Sequence, residues 1–147
     1  MSNLYTIGYT EKSAQQFFNL LKSSTANKLI DIRLHNTSQL AGFTKKADLV
    51  FFLKTILDWE YLEAAILAPT KDILADYKHK KITWNEYEIQ YLNLLHKRRA
   101  DKYIKKNMLK NSVLLCSEHL PDFCHRRLAA EYLNTAFGNI FEITHLY

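Results

Sequence analysis

Short apolar runs alternate along this chain with longer stretches whose apolar positions recur at helical spacing. Residues 4–9, Leu-Tyr-Thr-Ile-Gly-Tyr, read as a strand, and Ser13 with Gln16 three positions later forms a capping-box pair that opens a helix with Ala14, Phe17 and Leu21 on one face. The β-rich run 28–33 predicts a second strand, followed by the polar loop LHNTSQLAGF. Over 45–57 apolar residues cover most of the helical circumference, as expected of a helix packed on more than one side. A short strand is expected within 59–67, and Thr70 caps a brief helix through Tyr77. Thr83 and Glu86 form another capping-box pair, opening a long helix that carries Ile89, Leu92 and Leu95 and ends near Lys106. Residues 113–116 form a compact strand. After Pro121 and Asp122 the stripe Leu128/Ala129, Tyr132/Leu133, Ala136/Phe137 marks a helix that Gly138 stops, and 140–146 closes as a strand.

Strands alternating with helices imply βαβ units. The expected fold is therefore α/β: a three-layer sandwich with a mainly parallel sheet of four or five strands and helices on both faces. At 147 residues the chain is read as a single domain over 1–147, able to bury a core without metal or disulfide staples.

Composition narrows the function classes. No stretch is apolar for long enough to span a bilayer or serve as a secretory leader, so the expected compartment is cytoplasmic and no membrane is implied. Two cysteines are no disulfide framework, and a reducing cytoplasm keeps them as thiols. Three glycines and two prolines leave no flexible linker, P-loop or dinucleotide-binding cluster, and no cofactor is predicted. A net charge of +5 mildly favours phosphate-bearing partners.

In a parallel sheet, ligands bind beyond the carboxyl ends of the strands. Three predicted strands end there with reactive or adaptable residues: Gly8, Tyr9 and Thr10; Asp31, Arg33 and, in the following loop, Asn36 and Ser38; and Cys116 with Glu118. With Asp122 as N-cap, Cys124 and His125 fall in the first turn of the next helix, where free N–H groups and the dipole favour anions and thiolates, and Arg126 follows. Strand-end cysteine, loop and helix start with arginine are architecturally similar to the oxyanion cradles of thiol phosphatases and rhodaneses. The gap from Cys116 to Arg126 is longer here and holds no glycine, so their mechanism does not transfer.

Each residue also has a purely structural reading. Cys116 and Cys124 could be packed hydrophobes, Asp31 with Arg33 a structural ion pair, and Gly8 a strand-end turn; the clustering favours a site. A shared metal is not predicted: there is no C-x-x-C pair, and Cys124 and His125, adjacent on a helix, would point about 100° apart. The basic run from His96 to Arg99, continued by Lys102, Lys105 and Lys106, puts Arg98, Lys102 and Lys105 on one helical face that could track a nucleic-acid backbone.

The segments YTIGYT, LIDIRLHNTSQLAGF, LAPTKDILADYK, LLCSEHLPDFCHRRLAAEYL and ITHL together resemble the family called domain of unknown function 488, in order and over nearly the whole chain. The most specific parts are carried by Asp31, Arg33, Cys116, Glu118, Cys124, His125 and Arg126. The resemblance implies a bacterial or archaeal α/β domain and locates a site without naming an activity. Two readings follow. One is an enzyme on a small anionic or phosphate-bearing substrate, with Cys116 or Cys124 as nucleophile, Glu118 or His125 moving protons, and Arg33 and Arg126 holding the anion. The other is a non-catalytic nucleotide- or nucleic-acid-binding module.

Overall fold

Five parallel strands pair in the order β3-β2-β4-β1-β5 in the structure, a computed structural model that describes residues 1–37 and 42–147. They are β1 (Ser2–Gly8), β2 (Lys28–Asp31), β3 (Glu60–Glu63), β4 (Ser112–Cys116) and β5 (Phe141–Leu146). β4 sits at the centre with every residue buried, which is why its sequence is apolar without alternation. Its register sets Gly8 opposite Cys116 and Asp31 opposite Leu115, so three strands end at one level.

Helices cover both faces. α1 (Ala14–Ser23) opens with the predicted capping box: Gln16 N–H donates to Ser13 Oγ at 3.1 Å and Ser13 N–H to Gln16 Oε1 at 2.8 Å. It buries Phe17, Phe18 and Leu21, whereas Ala14 stays exposed. α2 (Lys46–Phe52) continues into a π-helical turn over Leu53–Leu57. Leu49 and Leu53 are buried while Val50, Phe51 and Ile56 face solvent, so this segment packs on one side only, contrary to its sequence pattern. On this face they join Tyr5 and Ile7 of β1 and Val113 and Leu115 of β4.

The other face carries α3 (Lys71–Lys78), α4 (Trp84–Arg98), α5 (Ala100–Tyr103), α6 (Lys106–Leu109) and α7 (His125–Ala136). Here Leu4, Ile30 and Leu114 pack against Tyr91, Leu95, Ala129 and Leu133. Each such buried side chain stabilises by roughly 1.5–3 kcal/mol relative to exposure. The expected long helix to Lys106 is three pieces. Arg99 takes a left-handed backbone (φ 53°) that ends α4 and turns Ala100 and Ile104 into the core. The buried stripe of α4 is Tyr87, Tyr91 and Leu95; Ile89 is exposed. The break also separates Arg98 from Lys102 and Lys105, and Arg98 Nη1 donates to the carbonyls of Ile66 and Ala68 at 3.0 and 2.6 Å. The proposed basic face is thus not a continuous helical surface.

The connection leaving β2 runs through α2 toward β3, on one face of the sheet, and that leaving β4 runs through α7 toward β5, on the other. Adjacent strands whose connections diverge in this way leave a crevice beyond their carboxyl ends. No helix among the described residues is long and apolar enough to cross a membrane.

Candidate functional site

The crevice is a cleft of about 490 Å³. Its floor is Cys116 at the end of β4 with Cys124 and His125 at the start of α7, and Tyr9, Thr10, Arg33 and Glu118 border it. The remaining wall comes from α3 and the start of α4, chiefly Tyr77, Lys78, Trp84 and Tyr87, with Phe123 packed edge-on against Trp84 at 5.6 Å between centroids.

Cys124 is the N-cap of α7, in extended conformation (φ −138°, ψ 139°), two residues later than the expected cap Asp122. The premise that Cys124 and His125 diverge on one helix therefore fails. An extended residue followed by a helical one can aim both side chains the same way, and here the ligand-type atoms of Cys116, Cys124 and His125 all lie within 4.8 Å of one another. All three residues are buried. His125 Nε2–H donates to the Ile32 carbonyl at 2.9 Å, which leaves the lone pair on Nδ1, 3.2 Å from Cys116 Sγ. The Tyr91 ring packs edge-on against the imidazole, centroids 5.5 Å apart, and fixes it further.

The two thiols are driven apart electrostatically. For Cys116 burial works against the thiolate, yet the Cys124 thiol, the Ser117 backbone N–H and the Arg126 charge outweigh it and draw its pKa below the ordinary thiol value. Burial and the neighbouring Cys116 push Cys124 well above it. Of the pair, Cys116 is therefore the more readily ionised.

The two arginines expected to grip an anion differ. Arg126 is fully buried and does not line the cleft. Its Nε donates to Thr6 Oγ1 at 3.1 Å, Nη1 to the Glu118 carbonyl, and Nη2 to the His119 carbonyl at 3.1 Å. It holds the loop after β4 in place from beneath. Gly8 serves the same loop: a Cβ there would stand 1.5 Å from the Glu118 carbonyl oxygen and 2.6 Å from Arg126 Nη1, so glycine is required for the protein's own backbone to approach. Thr10 completes the clamp, donating both its N–H (3.0 Å) and its hydroxyl (2.8 Å) to the Ser117 carbonyl.

Arg33 does line the cleft. Its Nε and Nη2 pair with the two Asp31 oxygens at 2.9 and 2.8 Å, and Nη2 also reaches the Thr44 carbonyl at 2.7 Å. The Tyr9 hydroxyl is a further hydrogen-bonding neighbour of the guanidinium. The guanidinium lies 5.5 Å from the Tyr9 ring centroid, and Tyr61 donates to Asp31 Oδ2 at 2.6 Å. Asn36 is drawn elsewhere: its amide donates to Glu63, which also takes Lys46 at 2.7 Å. Ser38 lies outside the described residues.

Sequence reasoning missed Thr6, the Ile32 carbonyl and the aromatic wall. Tyr77, Trp84 and Tyr87 stand out as a cluster of rings in the chain, but nothing local aims them at β4. The Ile32 carbonyl has no side-chain signature at all.

Fold and site together define a three-layer α/β protein with a thiol- and imidazole-bearing cleft at the carboxyl edge of a parallel sheet. The chain belongs to the family described as Domain of unknown function DUF488, whose model matches residues 13–133. No curated protein and no solved structure matches it.

Proposed function

We propose that the chain is an enzyme acting on a small molecule bound in this cleft, its anionic end beside Arg33 and a flat apolar portion along Tyr77, Trp84 and Tyr87, with the chemistry at Cys116, Cys124 and His125. One observation carries the reading: three buried, chemically active side chains converge on the floor of a cleft. Buried polar groups of this kind cost stability unless they are held by partners, and here the scaffold holds them in place around open space. Arg33 supports an anionic ligand because Asp31 fixes the plane of a guanidinium that borders the cleft. Glu118, exposed at the rim, is placed to exchange protons with solvent. The basic run supports a nucleic-acid surface less well, since Arg98 is engaged by main-chain carbonyls.

Two alkylating probes of similar size test the reading. The full chain, dialysed against a chelator, is treated near neutral pH with anionic iodoacetate or neutral iodoacetamide, and Cys116 labelling is followed by peptide mass spectrometry. A cationic wall raises the local concentration of an anion, so the iodoacetate-to-iodoacetamide rate ratio at Cys116 should exceed that of the urea-unfolded chain by about tenfold. Arg33→Gln should lower it. A ratio unchanged by folding, or a Cys116 that neither reagent reaches, overturns the reading.

A further inference from the structure

We propose that Cys116, Cys124 and His125 form a three-ligand transition-metal site, best suited to Zn²⁺, whose fourth position opens to the cleft. The inference rests on the same cleft as the proposed enzyme and specifies what its reaction centre holds. Two sulfurs and one imidazole nitrogen are the donor types that Zn²⁺ selects over Mg²⁺ or Ca²⁺, which take oxygen. Tetrahedral coordination with Zn–S near 2.3 Å and Zn–N near 2.0 Å requires ligand atoms about 3.5–3.8 Å apart. Cys116 Sγ and His125 Nδ1 are 3.2 Å apart, and the whole set fits within 4.8 Å, so side-chain adjustments of about 1 Å bring the donors to this spacing.

A second, independent observation concerns the imidazole. A ligating histidine characteristically donates its other ring N–H to a carbonyl or carboxylate, which fixes the tautomer and points the lone pair at the metal. His125 is built this way: Nε2–H is held by the Ile32 carbonyl at 2.9 Å, which leaves Nδ1 to ligate, with Cys116 Sγ 3.2 Å from Nδ1 and 3.7 Å from Nε2. Ile32 follows β2 and Cys116 ends β4, so the carbonyl that orients His125 and one of the sulfur ligands come from neighbouring strands of the rigid sheet. Burial points the same way. A divalent cation bound here would offset the charge of both sulfurs in a site from which water is largely excluded. Because all three ligands border the cleft, the protein supplies three of four positions, the pattern of a catalytic centre rather than of a closed structural one.

Residues 122 and 123 contribute no donor to this set, and Glu118 is exposed at the cleft rim, where it could meet a metal-bound water. The chemical class that follows is Lewis-acid activation of water or of a polar substrate group, with Arg33 as the anchor for the substrate's anionic end.

The test loads the chelator-treated full chain with Co²⁺ and then displaces it with Zn²⁺. The expected result is one equivalent of Co²⁺ with a thiolate-to-cobalt charge-transfer band and the intense visible bands of a tetrahedral site, lost on Zn²⁺ addition. Cys116→Ser, Cys124→Ser and His125→Ala should each weaken Zn²⁺ binding about 100-fold or more. A Co²⁺ spectrum of the native chain without sulfur charge transfer, or native Zn²⁺ affinity no tighter than that of the variants, overturns the inference. The native spectrum decides even where a variant fails to fold. Failure here with the iodoacetate preference intact removes the metal and leaves the anion-binding cleft. Metal binding without that preference removes the anionic substrate alone.

Discussion

At the amino ends of β2 and β3, Asn27, Lys28, Lys54, Asp58, Trp59 and Glu60 surround a depression of about 570 Å³, comparable with the cleft of about 490 Å³ at the opposite edge of the same sheet. The depression holds an ion pair, Lys54 with Asp58 at 2.5 Å, whose side chains are 73% and 81% exposed. The cleft is bordered by Arg33, whose pair with Asp31 is only 4% and 0% exposed, and by Cys116, Cys124 and His125, all buried. Water weakens the first pair to near irrelevance, while the interior makes every partner of the second consequential. Volume does not make a site. Desolvated, convergent polar groups do, and the carboxyl edge collects them because the connections from β2 and β4 part there.

That contrast can be attacked most forcefully at its glycines. Gly8→Ala puts a methyl group onto the Glu118 carbonyl and should destabilise the fold by about 4 kcal/mol, read from the urea midpoint. Gly42→Ala, with nothing among the described residues within 4 Å of the added Cβ, should change stability by no more than about 0.5 kcal/mol. Equal effects would mean that the loop after β4 is not tightly held.

The two ion pairs come next. Asp31→Asn leaves the buried Arg33 guanidinium without its counter-charge and should cost about 3 kcal/mol, whereas Lys54→Ala should leave the midpoint where it is. A mild Asp31→Asn phenotype would show water reaching Arg33 freely.

The smallest effect is pH-dependent and reaches β5. Thr6 Oγ1, which accepts from Arg126, lies 2.6 Å from His145 Nδ1, and burial, then the Arg126 charge, hold the His145 pKa below its ordinary 6.5. Arg127 adds to this, and Glu131 and Asp122 oppose it. Below that unfolded value the unfolded chain binds the proton more readily than the folded one, so the contribution is complete above it and is lost as pH falls. His145→Asn, which keeps an acceptor for Thr6, should flatten this acid-side slope in urea titrations between neutral pH and about pH 5. An unchanged slope would place the proton uptake elsewhere.

The alternation of elements was legible because strand and helix periods are local properties. Capping boxes at Ser13 and Thr83 and the Thr70 cap mark their helices where the side chain meets the backbone three residues on. The break at Arg99 was not legible: no glycine or proline announces it, and burial of Ala100 and Ile104 pulls the chain out of α4. Exposure of Val50, Phe51 and Ile56 was equally hidden, since an all-round apolar helix does not say which side meets the sheet.

The chain's own order of residues determined that β1, β2 and β4 would carry Tyr9, Arg33 and Cys116 to a common edge, because parallel βαβ units bring successive strand ends to one side. Only the tertiary structure decided what those residues meet. It made Cys124 an extended cap instead of a helical residue, sent Arg126 beneath the loop and Arg33 to the cleft, and supplied the Ile32 carbonyl that fixes His125. Periodicity is written in neighbouring residues. The direction of a side chain at the end of an element depends on backbone angles set by packing between strands far apart in sequence.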